Sequence, residues 1–355
     1  MTQKGLKFRV ADQKLFEGPI SWKNQGTNLT EFDQILQSTW LIAEKKQMFN
    51  YSLNESKYKS LVGNKDGYEY KCWTVFNINR VNKRRAPLKF ATMKQKFDPS
   101  KFNFTKILKE EILFEVIPKN LNDESNLNSK TCSVIINKSP IDKYHVLLVP
   151  EINSEKPQHV TFDTLLIMFD FVQMSSQPSF RLGFNSLHAW ASVNHLHFHA
   201  MYAENEVFLD EMAVGEKLAE NCFLSNKNSI MPCFVFLVPN EVTGRKNVAS
   251  NICKLIDEVF CNDNFKLIPY SLVLSRGNTN YKTRCFVFPR KSSEDIESND
   301  IFNVACVEVS GHLSIRSEDA FDNLNLDTVV TTLESSKIEN TLFNELVERF
   351  KKNLI

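Results

Sequence analysis

Apolar and polar positions along this 355-residue chain change period several times, and each change predicts an element. Residues 1 to about 65 are polar and weakly patterned. Within them Ile35, Leu36, Trp40, Leu41 and Ile42 fall on or near one face and predict a helix over 32–48. Residues 70–78 are aromatic and β-branched and predict a strand. The basic run Arg80-Val81-Asn82-Lys83-Arg84-Arg85 follows, then Pro87. Residues 97–104 read as a turn with aromatic anchors, and 122–130 as a polar loop. From Thr131 the pattern is regular: strand 132–136, turn 137–140, strand 145–149, buried helix 162–174, strand 180–184, connection 185–191 and strand 195–202. That order describes one antiparallel α+β unit. The second half repeats the theme less clearly. Strands are expected at 234–238, 270–274 and 284–288, a turn at 277–280, helices at 247–260 and 338–350, and an apolar run at 302–309 leading into Ser310-Gly311-His312.

Composition narrows the class. The chain is 42% hydrophobic and 24% charged, as expected for a globular protein with a sizeable core. Its 43 basic and 42 acidic residues leave a net charge of +1, so bulk charge points to neither a nucleic-acid nor a membrane partner. The longest apolar runs fall far short of the roughly 20 residues that span a bilayer. Eight cysteines form no Cys-x-x-Cys pair and lie mostly in apolar stretches, as buried thiols in a reducing compartment do. With no apolar signal region at the N-terminus, a cytoplasmic location is expected. No protein partner is legible.

Chemistry concentrates at Asn194-His195-Leu196-His197-Phe198-His199-Ala200, which holds three of the seven histidines at alternate positions. On a strand, alternate side chains leave on one face, so the imidazoles would line one surface while Leu196, Phe198 and Ala200 pack on the other. Buried imidazoles each need a hydrogen-bond partner, which makes three of them an uneconomical core. Such a row suits nucleophilic, acid–base or metal chemistry. Three histidines on one strand converge on a metal less readily than ligands from separate elements, so no metal is expected.

The triad is preceded by Ile135-Ile136-Asn137-Lys138-Ser139-Pro140, by His145-Val146-Leu147-Leu148-Val149-Pro150, and by Leu182-Gly183-Phe184-Asn185-Ser186 running into Ala191-Ser192-Val193-Asn194. With these blocks the sequence resembles the histidine-triad superfamily of nucleotidyl hydrolases and transferases, which includes galactose-1-phosphate uridylyltransferase-like proteins. More narrowly it resembles the GDP-sugar phosphorylase family, whose animal members act on GDP-D-glucose and whose plant members act on GDP-L-galactose. The likeness extends over roughly residues 70 to 315. It includes 97–106, Glu110 to Phe114, Leu274 to Gly277, Val287 to Lys291, and Phe302-Asn303 through Leu313.

The resemblance implies phosphorolysis of GDP-D-glucose by inorganic phosphate, giving GDP and glucose 1-phosphate without a cofactor. It makes His197 the nucleophile that becomes a guanylyl-histidine, and so predicts ping-pong kinetics. His195 would orient His197, and His199 would contact phosphate oxygens or the leaving group. Asn185 and Ser192 match positions that donate to the phosphates, Asn137 one that holds the ribose, and His145 one behind the triad. Asn77 and Arg80 match a strand signature, with Arg80 a ligand contact and Arg84 and Arg85 solvated charges. Arg276 and Arg290 serve either phosphate or structure, and His159, His188 and His312 are not chemical.

Two departures bear on activity: Val75 stands where the family pattern has Gln, and Ser271 where it has Asn. His199 stands where plant-type phosphorylases and uridylyltransferases have Gln and hydrolases have His. The alternatives are therefore a nucleotide or nucleotide-sugar hydrolase of the superfamily, or a catalytically weakened nucleotide-binding paralogue. The expected architecture is α+β, with two histidine-triad-like halves, each an antiparallel sheet with packed helices. Residues 1–65 form an extension of unclear role, 66–225 the catalytic half, and 226–355 a non-catalytic half with a C-terminal helix.

Overall fold

A computed structural model describes residues 6–10, 15–16, 18, 20–85, 88–117, 131–261, 267–276, 283–297 and 299–354. Pro87, the loop expected over 122–130 and the turn expected over 277–280 lie outside the described residues. The described elements, in chain order, are β1 (Lys7–Arg9), α1 (Glu31–Lys45), β2 (Lys57–Lys65), β3 (Tyr68–Phe76), α2 (Ile78–Lys83), β4 (Ile112–Ile117), β5 (Cys132–Ile136), β6 (Val146–Pro150), α3 (Phe162–Met174), β7 (Phe180–Asn185) and β8 (Phe198–Tyr202). They continue with α4 (Phe208–Glu211), β9 (Val214–Ala219), β10 (Cys222–Ser225), β11 (Phe234–Leu237), α5 (Val242–Lys254), β12 (Tyr270–Ser275), β13 (Arg284–Pro289), β14 (His312–Ile315), α6 (Glu318–Asp322), α7 (Leu326–Ser335) and α8 (Asn340–Asn353).

Eleven strands make one sheet in the order β1-β4-β5-β6-β8-β7-β12-β13-β11-β10-β9, and β14-β3-β2 make a second. The protein is α+β as expected, but the two sheets expected of the halves are continuous. They join where β7 pairs antiparallel with β12, Asn185 opposite Ser271 and Arg181 opposite Ser275. The topology also reveals a repeat. The hairpin β5–β6, helix α3 and strands β7–β8 assemble as β5-β6-β8-β7; the hairpin β10–β11, helix α5 and strands β12–β13 assemble as β10-β11-β13-β12.

Alternation along the strands sorts the core. Phe198, Ala200 and Tyr202 of β8 face the cluster built with Phe32, Leu36 and Trp40 of α1 and the apolar stripes of α3, α5 and α8. Met201, Val273 and Phe286 face the opposite cluster, with Trp73 and Val75 of β3 and Leu313 of β14. The helical layer is locally well specified: Thr30 caps α1 in a capping box with Asp33, and Thr161 caps α3 with Thr164.

Two expected boundaries do not coincide with structural ones. β2 pairs along its length with β3, and α1 lies in the main core, so residues before 66 are integral to the fold. The weak periodicity of that segment hid this, because β2 alternates only between exposed and half-buried positions. β10 hydrogen-bonds β11, so the hairpin of the second half begins before residue 226. β14 of the second half pairs with β3 of the first, Leu313 opposite Thr74, which ties the halves together again.

Candidate active site

β8 begins at Phe198, so His199 alone of the three histidines lies within a strand. The backbone before it takes other partners. Leu196 N donates to Lys156 O at 2.9 Å, and His197 N donates to Gln158 Oε1 at 2.9 Å. Gln158 Nε2 in turn donates to His197 O at 3.2 Å and to Asn185 O at 3.0 Å. This buried glutamine clamps the peptide that carries His197. Nothing in the sequence near residue 158 signals that role.

His197 and His199 line a cavity of about 370 Å³, a size that suits small ligands. Their ring centroids are 5.6 Å apart. Arg80, Arg84 and Arg85, on α2 and its C-terminal flank, share the wall. Phe102, Phe104, Ile107, Ile135, Leu147 and Val193 supply an apolar lining, with Asn137 and Ser192 among the polar residues.

The expectation that three rings line one surface needs correction at His195. Its ring packs against Phe97 and Phe104, at centroid distances of 5.2 and 5.4 Å, and is not part of the cavity wall. Its Nδ1 accepts the Phe104 N–H at 3.1 Å. The contact from His195 to His197 runs through the backbone: His197 Nδ1 lies 2.7 Å from the His195 carbonyl oxygen. A carbonyl only accepts, so Nδ1 carries the proton and Nε2 keeps its lone pair. That Nε2 has no hydrogen-bond partner among the described residues.

His199 has the opposite polarity. Ile141 N–H donates to His145 Nδ1 at 3.0 Å, which puts the His145 proton on Nε2. That Nε2 lies 2.9 Å from His199 Nδ1 and donates to it, leaving the His199 proton on its own Nε2. Asn137 stands beside this pair, its Nδ2 3.1 Å from His145 Nε2, and its Oδ1 accepts the Ser139 N–H at 3.0 Å. Burial drives all these rings toward the neutral form. His197 is pushed down to about 4, with the nearby Arg85 charge adding to the effect and its bond to the His195 carbonyl opposing it. His195 also falls to about 4, by burial and then by His197. Burial takes His145 and His199 well below the usual imidazole range.

Asn77 does not line the cavity; it caps α2. Its Oδ1 accepts from Asn79 N and Arg80 N at 2.9 and 3.2 Å, while Nδ2 donates to Ser52 O and Ser56 Oγ. The capped turn presents Arg80, whose Nε donates to Ser314 Oγ at 3.1 Å and whose Nη1 donates to the Ser139 carbonyl. Arg84 sits one turn further, on the same face. Arg85 stacks 3.8 Å from the Phe102 ring centroid. Arg84 and Arg85 are exposed, as expected of solvated charges, and they also line the cavity.

Asn185 does not reach the cavity either. Its Oδ1 accepts Ser271 Oγ at 2.9 Å and Cys306 N at 2.8 Å, and its Nδ2 donates to Cys306 Sγ at 3.3 Å. The departure at Ser271 therefore lies in a buried structural network, and Val75 packs in the core of the smaller sheet. Arg276 donates to Ser175 O and Phe16 O, and Arg290 to the Val304 carbonyl; both are structural. His159, His188 and His312 do not line the cavity. Among the described residues, no group of three or more His, Cys, Asp or Glu is placed to hold a metal ion, and no helix is long and apolar enough to cross a membrane.

Comparison with known proteins agrees over most of the chain. The family model described as GDPGP1-like, N-terminal domain, matches residues 31–201, and the GDPGP1-like, C-terminal domain, matches 231–354. The chain is 32% identical to GDP-D-glucose phosphorylase 1 of Danio rerio, covering 93% of each protein. It is 31% identical to that of Homo sapiens, covering 93% of this chain and 87% of the relative. Among solved structures, yeast Ap4A phosphorylase in complex with Ap4A aligns over 87% of this chain and 98% of its own, with a TM-score of 0.62. At 15% identity that likeness speaks for the fold alone. With both family models matched in order and across both halves, the chain belongs to the GDPGP1-like family.

Proposed function

We propose that this chain is a nucleotidyltransferase that phosphorolyses GDP-D-glucose to GDP and glucose 1-phosphate. The observation that carries the reading is the polarity of the two cavity histidines: His197 offers a bare Nε2, and His199 an Nε2–H. His197 Nε2 attacks the phosphorus attached to guanosine, a P–N bond forms, and the P–O bond to sugar 1-phosphate breaks. Inorganic phosphate then attacks the guanylyl-histidine, the P–N bond breaks, and GDP leaves. His199 donates to the phosphate oxygens or to the leaving oxygen. Arg80, Arg84 and Arg85, all in the lining, offset the diphosphate charge. The apolar lining suits the guanine face, and the presence of Asn137 and Ser192 in the same lining supports their contacting ribose and phosphate. The names of the relatives, GDP-D-glucose phosphorylase 1 in both vertebrates, support the choice of substrate. Buried free thiols such as Cys132, Cys233 and Cys285 suit a cytoplasmic enzyme.

The test is incubation with GDP-glucose, with and without phosphate. The expected result is phosphate-dependent release of GDP, lost in His197→Ala. GMP released without phosphate would instead identify a hydrolase, and an active His197→Ala protein would overturn the mechanism.

A further inference from the structure

A second cavity, of about 320 Å³, adjoins the first along α2. Arg80, Arg84 and Arg85 line both. A ligand whose diphosphate lies on these arginines therefore has a cavity for each of its two ends. Both linings mix polar and apolar residues, but the histidine cavity has the larger apolar side. The histidine cavity offers a carbon-rich side, whereas the second offers Asn303, Glu308, Ser314 and Arg316. A nucleobase presents two apolar faces, and a hexose presents hydroxyls around its rim, which need donors and acceptors together. Trp190 adds an aromatic surface to the second cavity, of the kind that takes the C–H face of a sugar ring.

Three further observations mark this region as built. Trp190 has φ +73° and His188 φ +59°, in the left-handed region that bulky residues rarely occupy. The connection after β7 thus holds a strained conformation at the residue that reaches the second cavity, and such strain persists where surrounding structure enforces it. Glu308 is buried, one carboxylate oxygen accepting the Ala305 N–H at 3.1 Å. Asn303 is oriented by Arg316, whose Nη1 donates to its Oδ1 at 3.3 Å.

We propose that the second cavity is the hexose subsite, and that Glu308, Asn303 and Trp190 set which GDP-hexose is accepted. This rests on the GDP-sugar reading above. It places two of these determinants, Asn303 and Glu308, on the 303–316 segment of the second half, while Trp190 and the nucleophile come from the first.

The two half-reactions separate this role from others. Exchange of labelled inorganic phosphate into GDP uses the nucleophile, the arginines and the nucleoside cavity, but no hexose. Glu308→Gln, which keeps an acceptor for the Ala305 N–H, and Asn303→Ala are expected to lower kcat/KM for GDP-glucose about 10-fold or more and to alter the GDP-glucose to GDP-mannose ratio, with exchange held within about twofold. Trp190→Ala is expected to behave likewise, and Trp190→Phe to restore turnover. Equal loss of exchange and turnover would overturn the proposal, because the cavity would then serve the phosphates or the fold. Unchanged turnover and sugar ratio would overturn it too. A wild-type protein that performs neither reaction refutes the GDP-sugar reading itself, a result distinct from either.

Discussion

His197 and His199 face one cavity with opposite hydrogen-bonding character, and each is set by a group that touches only its Nδ1. For His197 that group is the backbone carbonyl of His195, which cannot be removed by mutating a side chain. For His199 it is His145, whose tautomer is fixed by a backbone N–H. His145→Ala is therefore expected to leave His199 free to carry its proton on either nitrogen. Turnover should fall about 10- to 100-fold with little change in KM, measured by steady-state phosphorolysis. A variant with normal kcat would show that His145 merely fills space. Because burial pushes His197 down to about 4, it is unprotonated at neutral pH and stays a nucleophile in mild acid. The acid limb of kcat/KM should accordingly lie below pH 6; a limb at the ordinary imidazole value of about 6.5 would contradict this.

At the scale of elements, α2 is the unit that turns a basic run into a binding surface. It is a single short turn and a half, too short to hold itself together, and the Asn77 cap supplies two of its first N–H bonds. Asn77→Ala removes that cap and also frees Ser52 O and Ser56 Oγ. A stability loss of about 1–2 kcal/mol in urea titration is expected. A larger proportional effect on KM for GDP-glucose should accompany it, because Arg80 and Arg84 lose their register. An unchanged KM would mean the arginines are positioned by their other contacts. Gly183 is the corresponding constraint on β7. A Cβ there would lie 2.6 Å from Cys306 Sγ, so a larger residue beside His199 requires the Cys306 side chain to turn away or the 303–310 segment to move.

At the scale of the molecule, the repeat puts no imidazole in the second half at the positions equivalent to His145, His197 and His199. In β8, His199 pairs with Leu147; in β13, Phe286 pairs with Val235. Counting along the strands, Arg284 stands where His197 stands and Cys233 where His145 stands. Arg284 donates to the carbonyls of Leu209, Asp210 and Met212, and Phe286 and Cys233 are core residues. The second half thus keeps the topology, closes the sheet and lends its 303–316 segment to the neighbouring cavity.

The buried imidazoles have a molecular consequence as well. Burial depresses His145, His195, His197, His199 and His312, the last to about 3. The unfolded chain, with ordinary histidines, binds more protons below about pH 6.5, so this stability is fully present above that value and is lost as pH falls toward 4. Asp142 and Glu308, raised by burial to about 6 and about 7, act with the opposite sign over part of the same range. Glu206, also raised by burial, acts the same way, and five groups against three leave a net loss. The melting temperature should fall on going from pH 7 to pH 5, and a flat or rising profile would contradict the neutral assignment.

The sequence by itself determined the class, many of the regular elements from 131 onward and the histidine motif, because each of these is written in local periodicity or in a compact motif. Residues 132–136 and 162–174 form the strand and helix that their patterns predict. Leu196, Phe198 and Ala200 turn away from the histidines into the helical core, as alternation requires. Only the tertiary structure decided which polar residues serve the site. Asn77 and Asn185 sit in matching motifs yet are consumed by a helix cap and a buried network, while Arg85 and Gln158 take their places through partners far away in the chain, Phe102 for the first and His197 for the second. A side chain's task depends on which backbone groups lie unpaired beside it, and that is settled by long-range packing. The continuity of the two sheets across β7 and β12, and the second cavity beside α2, belong to the same level: both are made by strands and loops that meet only in the folded chain.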